Sequence, residues 1–108
     1  MEAEDERRIA RNESLFREAN EAISRGLWPE QADQLIRFRC ECGHECGQPV
    51  EASAREYERV RQSGRLFIVL EGHEIPGAEE VVERHPQFVV VRKTGTGGEM
   101  SERLDPRE

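Results

Sequence analysis

No apolar run in these 108 residues is long enough to cross a bilayer. The start Met1-Glu2-Ala3-Glu4-Asp5-Glu6 has neither the positive end nor the apolar stretch of an export signal, so a cytoplasmic location of bacterial type is the default expectation. Basic residues are nowhere concentrated. Lys+Arg total 16 against 23 Asp+Glu, a formal net charge of -7, and the arginines are interspersed with acids. That balance disfavours nucleic acid as a partner, because a phosphate backbone rewards a dense basic surface. Hydrophobic residues make up only 35% of the chain and aromatic ones 6%, with a mean hydropathy of -0.83. A core this modest gains from a structural cross-link or an oligomer contact.

Several catalytic signatures are also missing. Gly95-Thr96-Gly97-Gly98 has no following lysine and serine or threonine, so it is not a phosphate-binding loop. His73-Glu74 has no second histidine at the spacing of the His-Glu-x-x-His peptidase helix. Cysteine is absent everywhere except one place: Cys40, Cys42 and Cys46 fall within seven residues, in Cys40-Glu41-Cys42-Gly43-His44-Glu45-Cys46. Three thiols cannot all pair internally, and Cys40 and Cys42 are badly spaced for a relaxed disulfide. A reduced cluster that holds metal is the more natural reading.

Zinc takes four ligands in a tetrahedron, with thiolate and imidazole as ordinary donors. The fourth ligand is expected to be His73, which follows an apolar strand whose end can return to the cysteines. His44 is the local rival, but it sits inside the ligand turn, and His85 remains a third candidate. Glu41 and Glu45 read as a solvated acidic turn, and Glu71 and Glu74 flank His73 as groups able to orient its ring.

The remaining pattern predicts an α+β fold: an N-terminal amphipathic helix, a small zinc-ribbon-like cysteine turn, and a short, mainly antiparallel sheet with one additional helix. The first helix is expected over about Glu6 to Arg25, ended by Gly26. Its buried stripe is Ile9, Phe16 and Ile23, widened by Leu15, Ala19 and Ala22, and its exposed face carries Glu13, Arg17, Glu18, Glu21 and Arg25. That stripe packs on the domain body or on a partner or second copy, with Trp28 closing the core or the same interface. Leu35 to Cys40 reads as a strand entering the cysteines, with a short return strand from Val50. Ser53 and Glu56 have capping-box spacing for a short helix with Tyr57 and Val60 buried, ended by Gly64. Leu66 to Leu70 suits a central strand, Phe88 to Val91 another, and the span from Ala78 to Arg84 fits helix or strand equally. Residues 1–93 are expected to form one metal-binding domain, and 94–108 a mobile tail.

Asn12-Glu13-Ser14-Leu15-Phe16-Arg17-Glu18-Ala19-Asn20-Glu21, Cys40-Glu41-Cys42, Cys46, Glu56-Tyr57-Glu58-Arg59-Val60-Arg61 and Gly72-His73 together resemble a group of small bacterial proteins, actinobacterial ones in particular. The resemblance covers about residues 12 to 93. It implies a cytoplasmic protein with a common site at Cys40, Cys42, Cys46 and His73, and it implies no activity. Cys-x-Cys-x3-Cys departs from the two separated Cys-x2-Cys knuckles of familiar zinc ribbons. The functional expectation is a structural zinc site in a regulatory or protein-interaction module, non-enzymatic in preference to catalytic. The alternatives are a thiol-based redox sensor that releases zinc on oxidation, and a thiol or sulfur-transfer enzyme.

Overall fold

The computed structural model describes residues 3–44 and 46–107, with the side chains of Ala3, Glu4 and Glu6 left aside. Met1, Glu2, Glu45 and Glu108 lie outside the described residues, and with Glu45 goes half of the expected acidic turn. The order of elements is α1 (Ala3–Leu27), β1 (Leu35–Arg39), β2 (Pro49–Ser53), α2 (Ala54–Val60), β3 (Leu66–Val69), β4 (Glu79–Arg84), β5 (Val89–Lys93) and α3 (Gly95–Arg103). This is the α+β arrangement expected, with helix at the N-terminus and a cysteine-rich turn between the first two strands. No helix among the described residues is long and apolar enough to cross a membrane.

The strands form two antiparallel sheets. In one, β1 and β2 make a ribbon in which Phe38 faces Val50 and Leu35 faces Ser53. In the other the order is β3-β5-β4, with Phe67 opposite Val91 and a bulge between Val81 and Glu83. The central position therefore belongs to β5, and β3 lies at an edge, contrary to expectation. Phe67, Ile68 and Val69 are nonetheless buried, because the outer edge of β3 is covered. Ile68 accepts a hydrogen bond from Glu41 N at 2.9 Å and donates its own N–H to Glu41 Oε1 at 3.0 Å. A backbone group and a side chain thus take the place of another strand.

The capping box is present: Glu56 N donates to Ser53 Oγ, and Ser53 N donates to Glu56 Oε1, which starts α2 and turns Tyr57 and Val60 inward. Tyr57 stacks on Phe38 with ring centroids 4.9 Å apart, joining α2 to the ribbon.

Helix α1 packs on the body with a different face from the one its apolar pattern predicts. Glu13, Arg17, Asn20, Glu21 and Ser24 are buried, while Leu15 is 64% exposed and Ile9, Phe16 and Ile23 are only half-buried. Glu18 and Arg25 are exposed as expected. Most of the buried polar face meets partners from far along the chain, while Glu13 Oε1 and Oε2, Ser14 Oγ and Arg17 Nε have no hydrogen-bond partner among the described residues. Arg17 donates to the carbonyls of Gly64 and Ser101 and lies 4.8 Å from the Phe67 ring centroid. Glu21 pairs with Arg61 and Arg107, Ser24 donates to Glu58, and Glu13 lies 2.9 Å from Lys93 Nζ. Glu13, Arg17 and Glu21, expected on the exposed face, face inward to make these contacts. The helix also runs through Gly26 to Leu27, just before Pro29. Trp28 is 44% exposed, beneath the Arg55 guanidinium, and does not close the core.

The segment expected as a tail carries α3, which packs against α1 and β5. Its glycines are the reason it fits: Gly97 and Gly98 are buried, and a Cβ on Gly98 would stand 2.5 Å from Arg65 Nη1 and 2.9 Å from the Lys93 carbonyl. Beyond it, Asp105 pairs with the buried Arg61, and Arg107 with Glu21 and Glu58.

Candidate metal centre

The ribbon and the β3 sheet bring four donor atoms together. One each from Cys40, Cys42, Cys46 and His73 lie within 4.8 Å of one another, with Cys40 and Cys42 buried and Cys46 and His73 half-buried. Cys40 leaves the end of β1, and its N–H donates to the Gln48 carbonyl at 3.0 Å, closing the base of the cysteine loop. Glu41 then ties the loop to β3 through the two bonds with Ile68. His73 arrives from the turn after β3, where its N–H donates to the Leu70 carbonyl at 3.0 Å.

Gly43 allows the loop to pass under α1. A Cβ there would run into Ile9 Cγ2 and stand 3.1 Å from Ile75 Cδ1. Ile9 and Ile75 thereby hold the middle of the cysteine loop between α1 and the His73 loop.

The geometry suits a tetrahedral ion. Bonds of about 2.3 Å to sulfur and about 2.05 Å to nitrogen put tetrahedral S and N donors roughly 3.6 Å apart. Cys40 Sγ and His73 Nδ1 are 3.6 Å apart. Sulfur pairs on one ion stand roughly 3.8 Å apart by the same geometry, so donors within 4.8 Å need close in by no more than about an ångström. Two backbone amides already point at sulfur: Leu70 N to Cys40 Sγ at 3.2 Å, and Gln48 N to Cys46 Sγ at 3.4 Å. Such N–H donors favour the thiolate. Burial pushes the Cys40 thiol well above its ordinary range, the Leu70 amide partly opposes this, and the neighbouring Cys42 and Cys46 raise it further. A divalent cation supplies the charge that reverses this balance. The three thiols and one imidazole are thus capable of coordinating a metal ion.

The other histidines stand apart from this cluster. His44 is exposed, although it lies between two of the cysteines in sequence. His85 stacks on Phe88 with ring centroids 4.5 Å apart, and its Nε2 lies 2.9 Å from Glu83 Oε1. Neither acid flanking His73 hydrogen-bonds its ring among the described residues. Glu71 pairs with Arg84, and Glu74 Oε1 accepts from Gly72 N at 3.0 Å.

Glu41 corrects the sequence reading most sharply. It is fully buried rather than solvated. Its Oε2 accepts from Asn20 Nδ2 and from the Tyr57 hydroxyl, both at 2.9 Å, and its Oε1 from Ile68 N. Burial raises its pKa, which these three donors and the nearby Arg17 partly oppose. Asn20 also brackets β1, accepting from Arg39 N at 2.8 Å and donating to Arg39 O at 2.9 Å. Asn20 and Glu41 are positioning residues that sequence reasoning missed. The only signal was an alternation continuing out of β1, which places Glu41 opposite Cys40 and Cys42 in an extended chain.

No protein family, curated protein or solved structure matches this chain. Of the resemblance to small bacterial proteins, what stands on structural ground is the cysteine cluster with its downstream histidine.

Proposed function

We propose that Cys40, Cys42, Cys46 and His73 bind zinc, and that the metal is structural. It fixes the β1–β2 ribbon against the β3–β5–β4 sheet in a small module that serves regulation or protein interaction in the cytoplasm. The observation that carries this reading is the convergence of four donors from two loops, 33 residues apart at its widest hydrogen-bonded pair, Cys40 and His73. Three thiolates and an imidazole are a donor set that suits zinc, and a full set of four leaves no open position for activating water. A structural ion also answers the small core, since binding free energy here is folding free energy.

The test is metal content in protein purified under reducing conditions without added metal. About one zinc per chain is expected, replaceable by Co2+ with the intense visible bands of a tetrahedral thiolate site, and lost in Cys42→Ser. Sub-stoichiometric metal together with no such bands on adding Co2+ refutes the proposal.

A second reading has one specific support. Cys46 is the least buried of the three thiols, so it is the one an oxidant reaches first. A redox sensor that releases zinc on oxidation predicts reversible metal loss under mild peroxide, whereas a purely structural site retains its metal.

A further inference from the structure

The outward side of α1 carries a feature that the metal site does not use. Between α1 and the end of α3 lies a largely apolar groove of about 230 Å³, lined by Arg11, Ser14, Leu15, Glu18 and Leu104. Leu15 is 64% and Leu104 38% exposed, both among the few large apolar side chains left in water. Ser14 is only 6% exposed, and its Oγ has no hydrogen-bond partner among the described residues.

We propose that this groove is the contact between two copies of the chain, paired through antiparallel α1 helices about a two-fold axis. The charge pattern selects this occupant. Arg11 and Glu18 lie on either side of the Ser14–Leu15 pair, one helical turn away in each direction. With the axis passing between Ser14 and Leu15, Arg11 of each copy faces Glu18 of the other, so one patch supplies both halves of two ion pairs. That is the isologous complementarity a two-fold contact requires. Leu15 of each copy enters the groove between Leu15 and Leu104 of the other. The patch itself is charge-balanced, so the net charge of -7 is not concentrated where the copies touch.

The contact is small. With only five lining residues it belongs at the small end of interfaces, so pairing is expected only at high protein concentration. The pairing does not draw on the cysteine cluster, so it stands or falls separately from the zinc reading.

Sedimentation equilibrium of the full chain tests it, in near-physiological salt over roughly 10 μM to 1 mM. The mass is expected to rise from one chain toward two. Leu15→Arg abolishes the rise. Arg11→Glu and Glu18→Arg each weaken pairing by about tenfold or more, and the double swap Arg11→Glu/Glu18→Arg on one chain restores it. All three positions are at the surface, and far-UV circular dichroism verifies that the helices persist. A mass of one chain throughout overturns the proposal. So does a dimer indifferent to Leu15→Arg. Failure of the double swap to restore pairing also overturns it, and points to a different protein as the occupant.

Discussion

Replacing Glu41 probes the joint between the cysteine loop and the sheet without touching a metal donor. Its carboxylate accepts from three groups, but they do not depend on it equally. Asn20 Nδ2 keeps the Arg39 carbonyl at 2.9 Å, and the Tyr57 hydroxyl keeps the Arg17 carbonyl at 3.2 Å. Ile68 N has only Glu41 Oε1 among the described residues. In Glu41→Gln the amide oxygen can still accept from Ile68 N while the NH2 faces Asn20 and the Tyr57 hydroxyl, each of which keeps its other acceptor, so no donor is orphaned and a loss under about 1 kcal/mol is expected. Glu41→Ala orphans Ile68 N and adds a cavity, for about 2–4 kcal/mol. Relief of the buried charge offsets part of this, since burial already raises the Glu41 pKa. Against a total stability of about 5–15 kcal/mol the Glu41→Ala loss is a large effect. Urea unfolding in excess chelator measures both variants with metal excluded, and amide exchange at Ile68 reports the Glu41→Ala loss locally. A Glu41→Ala protein within about 0.5 kcal/mol of the parent, with Ile68 still protected, would show that the Glu41 side chain does not hold the edge of β3.

Three further outcomes follow from the same contacts. Burial, the neighbouring Glu79 and the incomplete compensation by Lys93 raise the Glu13 pKa from 4.5 to about 8. An acid whose folded pKa is raised contributes stability that is complete below pH 4.5 and is lost as pH rises through 8. Urea midpoints at about pH 5 and pH 9 should therefore fall in the parent by a component of at most about 5 kcal/mol that Glu13→Gln lacks; equal pH dependence of the two proteins refutes this. Gly98→Ala drives a methyl toward Arg65 and the Lys93 carbonyl, and a loss of about 1–3 kcal/mol with release of α3 is expected by thermal melting and helix content. For the histidines, competition with a chromophoric chelator should find zinc affinity at least about tenfold weaker in His73→Ala and unchanged in His44→Ala and His85→Ala; a loss in either of the latter would reassign the fourth ligand.

What the sequence made legible is what short-range chemistry controls. The Ser53–Glu56 cap, the Phe38 strand, the return strand at Val50 and the apolar run at 66–69 follow from propensity and spacing, and the structure forms each of them. The cysteines were conspicuous because nothing in an ordinary core calls for three thiols in seven residues. His73 came from one topological guess, that the strand before it lies beside the cysteine loop. The face of α1 was misread for a definite reason: hydrophobic periodicity assumes that a buried stripe meets apolar neighbours. Here the neighbours are Arg61, Lys93 and Arg107, distant in sequence, and Glu13 and Glu21 are buried because those cations are. Helix α3 and the pairs beyond it were not legible either, as the acids and bases of this segment look solvated until Arg61 and Glu21 are placed beside Asp105 and Arg107.

The same polar face explains why a helix outside the donor set matters to it. One route runs through Asn20, which brackets Arg39 just before Cys40 and holds Glu41 just after it. A second runs through Ile9, packed where Gly43 has no side chain, between Cys42 and the exposed His44. The third reaches the histidine side. Glu13 contacts Lys93, Lys93 donates to Glu79 at 3.2 Å, and Glu79 accepts from Ile75 N at 2.9 Å, two residues beyond His73. Helix α1 therefore braces the cysteine loop and the histidine loop from one rigid element, and donors from separate parts of the chain are preorganised by contacts that are themselves polar. A stripe of leucines would bury α1 with less loss on desolvation, yet would fix its rotation and register far less strictly than hydrogen bonds and ion pairs with named partners. For donors that could hold an ion after closing in by up to about an ångström, register is the quantity that counts.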